Sequence, residues 1–172
     1  MNPLEKLQHI TTFVFDFDGV LTNGSLILTE GGEERRTMNI YDGYAIRHAA
    51  NEGFKIFIIS GSTIPGARTR LSKLGAMESF FGIPDKHEVL MGIFKKYELS
   101  SEEVLYMGDD VPDFEAMQAC GVRTCPPNAM PEIFSNVDLI TLAKGGEGAV
   151  REIIEKTLRI QDKWNSISIQ QA

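Results

Sequence analysis

The residues Phe13-Val14-Phe15-Asp16-Phe17-Asp18-Gly19-Val20-Leu21-Thr22 constrain this chain more than any other stretch. An almost unbroken apolar approach marks a strand buried in a parallel sheet, because such a strand has helices over both faces and no wet side for polar residues. Two carboxylates follow one residue apart where the strand runs out, with a glycine behind them. Charge placed there needs a partner or a task. In open α/β sheets ligands bind beyond the carboxyl ends of the strands, so these acids stand where such a fold keeps its chemistry.

The rest of the chain repeats the arrangement. Phe54-Lys55-Ile56-Phe57-Ile58-Ile59 reads as a second buried strand ending in Ser60-Gly61, and Val104-Leu105-Tyr106-Met107 as a third running into Gly108-Asp109-Asp110-Val111-Pro112-Asp113. Met77 to Phe81, Val122 to Cys125 and Val137 to Thr141 have the make-up of shorter strands. Between them lie a helix over Tyr44 to Glu52 stopped by Gly53, and another from Pro65 to Gly75. Helical spacing of Val89, Leu90, Ile93, Phe94 and Tyr97 marks a third, with two more over Pro112 to Ala119 and Ala149 to about Asp162. Glu30-Gly31-Gly32 between two short runs predicts a hairpin at about 22–38. This alternation predicts an α/β fold, a Rossmann-like three-layer sandwich with a mainly parallel sheet and a β-hairpin after the first strand. The 172 residues suit one domain over 1–163, with the polar tail 164–172 expected to be flexible.

Composition narrows the function. A formal net charge of −7 argues against general nucleic-acid or anionic-membrane binding, which want a basic face, but leaves room for a small anionic substrate if a cation inverts the local field. Cys120 and Cys125 are too few for a disulfide framework and read as reduced structural residues. His9, His48 and His87 lack metal-ligand spacing and receive no role. No stretch reaches the length of a membrane span and no basic leader precedes an apolar run, so a cytoplasmic location is expected.

Parallel strands point one way, so Asp16, Asp18, Ser60 and the Asp109 cluster can meet on one sheet edge, and Lys86 adds a fourth segment. Carboxylates packed together repel, and the usual remedy is a hard divalent cation with oxygen ligands such as Mg²⁺. A Mg²⁺ site beside a lysine and a hydroxyl suits phosphoryl transfer, which consists mostly of positioning and charge neutralisation. Taken singly these features are bland. Asp-x-Asp is commonly a turn or cap, Ser60 can be a simple cap, Lys86 a solvated lysine, and Arg47 and Arg70 surface salt bridges. Gly145-Gly146-Glu147-Gly148 fits an anion-cradling loop and a tight entry into the last helix about equally well.

Together, Asp16-Phe17-Asp18-Gly19-Val20-Leu21-Thr22, Ser60, Lys86, and Gly108-Asp109-Asp110 with Asp113 resemble the four ordered motifs of the haloacid dehalogenase superfamily of phosphohydrolases. The resemblance implies that Asp16 is the nucleophile forming an aspartyl-phosphate and that Asp18 passes the proton. It implies Mg²⁺ held by Asp16, the backbone carbonyl of Asp18 and Asp109, with Asp110 and Asp113 around them. Ser60 and Lys86 would complete the catalytic set on the phosphoryl group. Cap-sized insertions are absent, and the hairpin, the Asn39-to-Arg47 segment and Gly145-to-Glu152 are similar to the capless 3-deoxy-D-manno-octulosonate 8-phosphate phosphatases of lipopolysaccharide synthesis. That family implies a homotetramer whose neighbouring subunit helps close the site, and a substrate pocket lined by Asn39, Asp42, Gly43, Arg47, Arg70 and Lys86. One departure matters: Ser62 follows Gly61 where the family commonly has arginine, which keeps nonulosonate 9-phosphates in play. Rivals of another class are a phosphoacceptor signalling domain and an inactive regulatory homologue.

Overall fold

The structure, a computed structural model, describes residues 2–164. Among them are eight strands: β1 Thr12–Phe15, β2 Ile27–Leu28, β3 Glu34–Arg35, β4 Lys55–Ser60, β5 Glu78–Phe81, β6 Val104–Met107, β7 Val122–Cys125 and β8 Leu139–Ile140. Six form one parallel sheet in the order β5-β4-β1-β6-β7-β8, while β2 and β3 form a separate antiparallel hairpin. The strand carrying the first acids is therefore central, with Phe15 registered against Ile58 on one side and Met107 on the other. Successive β1 residues alternate between two cores, as strand geometry requires. Phe13 and Phe15 face a core shared with Ile56, Ile58, Leu105 and Met107, whereas Val14 faces one with Phe57, Ile59, Val104 and Tyr106.

Seven helices accompany the strands among the described residues: α1 Pro3–Lys6, α2 Ile40–Asn51, α3 Pro65–Lys73, α4 Lys86–Tyr97, α5 Phe114–Gln118, α6 Pro131–Phe134 and α7 Ala149–Ile160. Ala45, Ile46, Leu71, Val150, Ile153 and Ile154 place α2, α3 and α7 on the first core, and Leu90, Ile93, Ala116 and Met117 place α4 and α5 on the second. These are the three expected layers, and between β1 and α2 the chain holds only the hairpin.

Element boundaries differ from expectation where caps overrule composition. Helix α2 opens at Ile40, ahead of the expected Tyr44, because the Asn39 side chain accepts from Tyr41 N–H at 2.7 Å. Gly43, inside that helix, marks a close crossing, since a Cβ there would lie 3.3 Å from the Arg70 guanidinium and 3.4 Å from Leu74. The helix expected from Pro112 begins as a 3₁₀ turn over Val111–Asp113. Only Ile27 with Arg35 and Leu28 with Glu34 pair in the hairpin, so its ladder is shorter than the glycine signal suggested. The unforeseen α1 is fixed by a capping box between Asn2 and Glu5. Of the tail, Trp164 packs edge-on against His48 with ring centroids 4.7 Å apart, and 165–172 lie outside the described residues.

Candidate active site

The β1–β6 ladder continues one step past the strand, with Asp16 N–H donating to the Met107 carbonyl at 3.0 Å. That bond sets the first acid beside Gly108-Asp109 at the end of β6. The Lys86 ammonium reaches in from the first turn of α4, 2.7 Å from Asp16 Oδ1 and 2.7 Å from Asp113 Oδ1. Asp113 is otherwise saturated: its Oδ1 accepts from the Tyr106 hydroxyl at 2.8 Å and its Oδ2 from Asp109 N–H at 3.3 Å. Two glycines make the crowding possible. A Cβ on Gly19, which has φ +83°, would sit 2.0 Å from Asp109 Oδ2, and one on Gly108 would sit 2.5 Å from the Asp113 Cβ.

Carboxylate oxygens of Asp16, Asp109 and Asp113 lie within 4.8 Å of one another, and the one ammonium among them pairs with Asp16 and Asp113. The protonation states register the imbalance. Burial first, then the charge of Asp113, pushes the Asp16 carboxyl well above its usual range against the pull of Lys86. Burial and again Asp113 push Asp109 up to about 7. For Lys86, burial disfavours the ammonium but the charges of Asp113 and Asp16 outweigh it, so its pKa rises. Asp109 Oδ1 is buried with no hydrogen-bond partner among the described residues. A partnerless acceptor within an excess of negative charge fits a hard cation that takes oxygen ligands. Because Lys86, Tyr106 and Asp109 N–H already occupy both oxygens of Asp113, that residue supplies charge and the open donors are on Asp16 and Asp109.

Asp16, Asp18, Ser60, Lys86, Asp109, Asp110 and Asp113 all line one cavity of about 470 Å³, together with Asn23, Gly24, Ser62, Asn128 and Met130. The Ser60 hydroxyl accepts from Ser62 N–H at 3.2 Å. Asp110 is exposed and caps its own 3₁₀ turn through Val111 N–H at 2.7 Å. The Asp18 carboxylate takes a hydrogen bond from Arg36 Nε at 2.7 Å and one from the Ser62 hydroxyl at 2.5 Å.

Of the residues expected around a substrate, only Lys86 reaches the cavity. Asn39 is the cap of α2, and Asp42 is fully buried under α7, where its Oδ1 accepts from Arg151 N–H at 2.7 Å. Gly43 is covered by Arg70 and Leu74, and the exposed Arg47 donates to the Lys73 carbonyl at the end of α3 at 3.1 Å.

Arg36 and Asn128 had no signal in the sequence. A charged residue in a hairpin looks solvated, and an asparagine in a loop looks like a turn. Asn128 ties two backbones together, its amide donating to the Gly19 carbonyl at 3.2 Å and accepting from Gly145 N–H at 2.7 Å. This settles the glycine loop before α7: a Cβ on Gly145 would fall 1.7 Å from the Gly19 carbonyl oxygen, and Gly146 N–H is spent on the Val20 carbonyl at 2.9 Å. The loop braces the segment behind Asp18, and its Gly145, Gly146 and Glu147 amides are spent on Asn128 and on main-chain carbonyls.

Comparison with known proteins agrees with this geometry. No protein-family model matches the chain. The 3-deoxy-D-manno-octulosonate 8-phosphate phosphatase of Salmonella typhi is 31% identical over 160 residues, 93% of this chain and 85% of that protein. The crystal structure of the Moraxella catarrhalis phosphatase of the same name, in complex with a magnesium ion, a phosphate ion and a KDO molecule, superposes with a TM-score of 0.90 at 32% identity, covering 93% of this chain and 92% of the other. A haloacid dehalogenase superfamily (subfamily III A) hydrolase from Legionella pneumophila reaches 0.90 at 31% identity, over 93% of this chain and 88% of its own. With relatives matched along almost their whole length and the acids, serine and lysine of the four motifs gathered on one sheet edge, the chain belongs to the 3-deoxy-D-manno-octulosonate 8-phosphate phosphatase family of the haloacid dehalogenase superfamily.

Proposed function

We propose that this chain is a Mg²⁺-dependent phosphatase that hydrolyses 3-deoxy-D-manno-octulosonate 8-phosphate to the free sugar acid and phosphate, a step of lipopolysaccharide synthesis. The observation that carries the reading is the trio Asp16, Asp109 and Asp113 around Lys86, with Asp109 Oδ1 left partnerless, in a cavity open to solvent. Residues fitted to hold the cation are Asp16, Asp109 and the main-chain carbonyl of Asp18. Bound there, Mg²⁺ offsets the mutual repulsion of the carboxylates and the charge of the phosphoryl group.

Asp16 attacks phosphorus in line and carries the phosphoryl group as an aspartyl-phosphate. Asp18 gives a proton to the departing sugar alcohol and takes one from the water that hydrolyses the intermediate. Lys86, fixed between Asp16 and Asp113, balances the charge of nucleophile and phosphate, and Ser60 donates to a phosphoryl oxygen. Asp110 and Asp113 support the site from outside the reacting atoms.

The reading extends to one catalytic domain over 1–163, a cytoplasmic enzyme, and a homotetramer. Among the described residues no helix is long and apolar enough to cross a membrane, and the hairpin exposes apolar side chains suited to packing between subunits. In such an assembly Arg47 and Arg70, both at the surface, are the two expected pocket residues whose guanidinium groups could grip the carboxylate of a sugar acid.

The test is a screen of phosphorylated sugar acids with Mg²⁺, comparing kcat/KM for the eight-carbon and nine-carbon 2-keto-3-deoxy substrates, with chelator and Asp16→Asn as controls. Preference for the eight-carbon substrate and silence in both controls is expected. Preference for the nine-carbon substrate would reassign the sugar. A stable acyl-phosphate without turnover would reassign the chain to signalling.

A further inference from the structure

Two side chains outside the phosphoryl-transfer machinery close on Asp18. Arg36 Nε donates to Oδ1 at 2.7 Å and the Ser62 hydroxyl donates to Oδ2 at 2.5 Å. The donors also meet each other, with Arg36 Nη2 3.4 Å from Ser62 Oγ. They arrive from different elements. Arg36 follows β3 of the hairpin, and Ser62 follows β4, where its N–H is fixed on the Ser60 hydroxyl at 3.2 Å. Only 7% of the Arg36 side chain is exposed, and its remaining N–H groups reach Glu34 Oε2 at 3.3 Å. Stripping water from a guanidinium is costly unless fixed acceptors replace it, so a side chain merely covering the hairpin would stay in solvent.

Left alone, a carboxylate at the cavity wall would turn freely about its side-chain torsions. With a donor on each oxygen the plane of Asp18 is set, while each oxygen keeps a further lone pair that can carry a proton towards the cavity. Proton transfer needs the donor within hydrogen-bond reach of the reacting oxygen.

We propose that Arg36 and Ser62 are positioning residues that aim the Asp18 carboxyl at the leaving oxygen in the first half-reaction and at water in the second; this rests on the reading of Asp18 as the proton carrier. In the first half an Asp16 oxygen bonds to phosphorus as the ester P–O bond breaks, and the ester oxygen keeps the bonding pair and takes the Asp18 proton. In the second, water oxygen bonds to phosphorus, one of its protons returns to Asp18, and the bond from phosphorus to Asp16 breaks with its electrons going back to the carboxylate.

Leaving-group chemistry separates aim from general damage. A sugar alcohol leaves only when protonated. The phenolate of para-nitrophenyl phosphate leaves without a proton, although the aspartyl-phosphate it leaves behind still needs Asp18 to activate water. Arg36→Met and Ser62→Ala are expected to lower kcat on the sugar phosphate by about 100-fold and about 10-fold, with KM little changed. On para-nitrophenyl phosphate in stopped flow each variant should release a burst of nitrophenolate equal to its active sites and then turn over slowly. Ser62→Thr keeps the hydroxyl and should restore turnover, and the double variant should lose little beyond Arg36→Met because both act through one carboxylate. A raised KM with kcat intact would make Arg36 a substrate contact and overturn the proposal. Equal losses on both substrates without a burst would do the same. If the unaltered enzyme with Mg²⁺ hydrolysed neither substrate, it is the phosphatase reading that would fall.

Discussion

Asp42 shows what a buried acid costs when its partners run short. Asp113 is equally enclosed but has Lys86, Tyr106 and an amide to satisfy it, whereas Asp42 has one short hydrogen bond, from Arg151 N–H, and an Oδ2 without a partner among the described residues. Burial pushes its carboxyl up to about 6, against the opposing N–H groups of Arg151 and Gly148. An acid with a folded pKa above its unfolded one binds more protons when folded. Its contribution to stability is therefore full below about pH 4 and lost as pH rises through about 6. An asparagine in its place would keep a carbonyl oxygen for α7 and carry no charge. For Asp42→Asn, the stability of the variant relative to the unaltered chain should rise by about 2 kcal/mol between about pH 4 and about pH 7.5, other acids cancelling in the difference. Urea midpoints of both proteins at the two pH values measure it. A difference that does not move with pH would mean that Asp42 keeps its charge at no cost.

At the scale of elements, loops brace the site more than helices do. The α7 entry lies so close to the segment behind Asp18 that Gly145→Ala must displace backbone, because the nearest atom is the Gly19 carbonyl oxygen. Overpacking of this kind costs about 1–3 kcal/mol, and kcat should fall as well since Gly19 adjoins Asp18. Gly92 in α4 is the contrast. It is exposed, a Cβ there meets nothing within 4 Å, and Gly92→Ala should stabilise by about 0.5–1 kcal/mol with kcat unchanged. Thermal unfolding and turnover of both variants check the pair; a silent Gly145→Ala would mean the loop yields. The same contrast explains what was legible in the sequence. Apolar strands and the acids ending them follow from burial and parallel topology, so the sheet and the meeting of Asp16, Asp18, Ser60, Lys86 and Asp109 in one cavity could be read in advance. Where Arg36 or Asn128 ends up depends on how a short hairpin and a loop fold back in space, and local composition carries no record of that. Family resemblance alone places Asn39, Asp42 and Gly43 in a substrate pocket, and the capping, buried hydrogen bond and close helix crossing they make here have no mark in local composition either.

Across the whole molecule, the hairpin links the proposed assembly to the proposed chemistry. Leu26, Ile27 and Leu28 are 47%, 55% and 72% exposed, and Ile40, Tyr41 and Tyr44 at the start of α2 are exposed too. An isolated two-stranded hairpin is marginal in water, and here the ladder amounts to two residue pairs. Packing those apolar side chains against other copies of the chain would remove them from water and stiffen the ribbon that delivers Arg36 to Asp18. Leu28→Lys places a charge at the most exposed of the three without touching the cavity. It is expected to shift the sedimenting mass at micromolar concentration from four chains towards one. Turnover of the sugar phosphate should fall with it by about 10-fold, the scale of a misaimed proton donor, and para-nitrophenyl phosphate should show the burst expected of Arg36→Met. A dissociated variant with undiminished kcat would show that the hairpin holds Arg36 unaided. An unaltered chain that sediments as a monomer would remove the assembly itself and leave the exposed leucines without a partner.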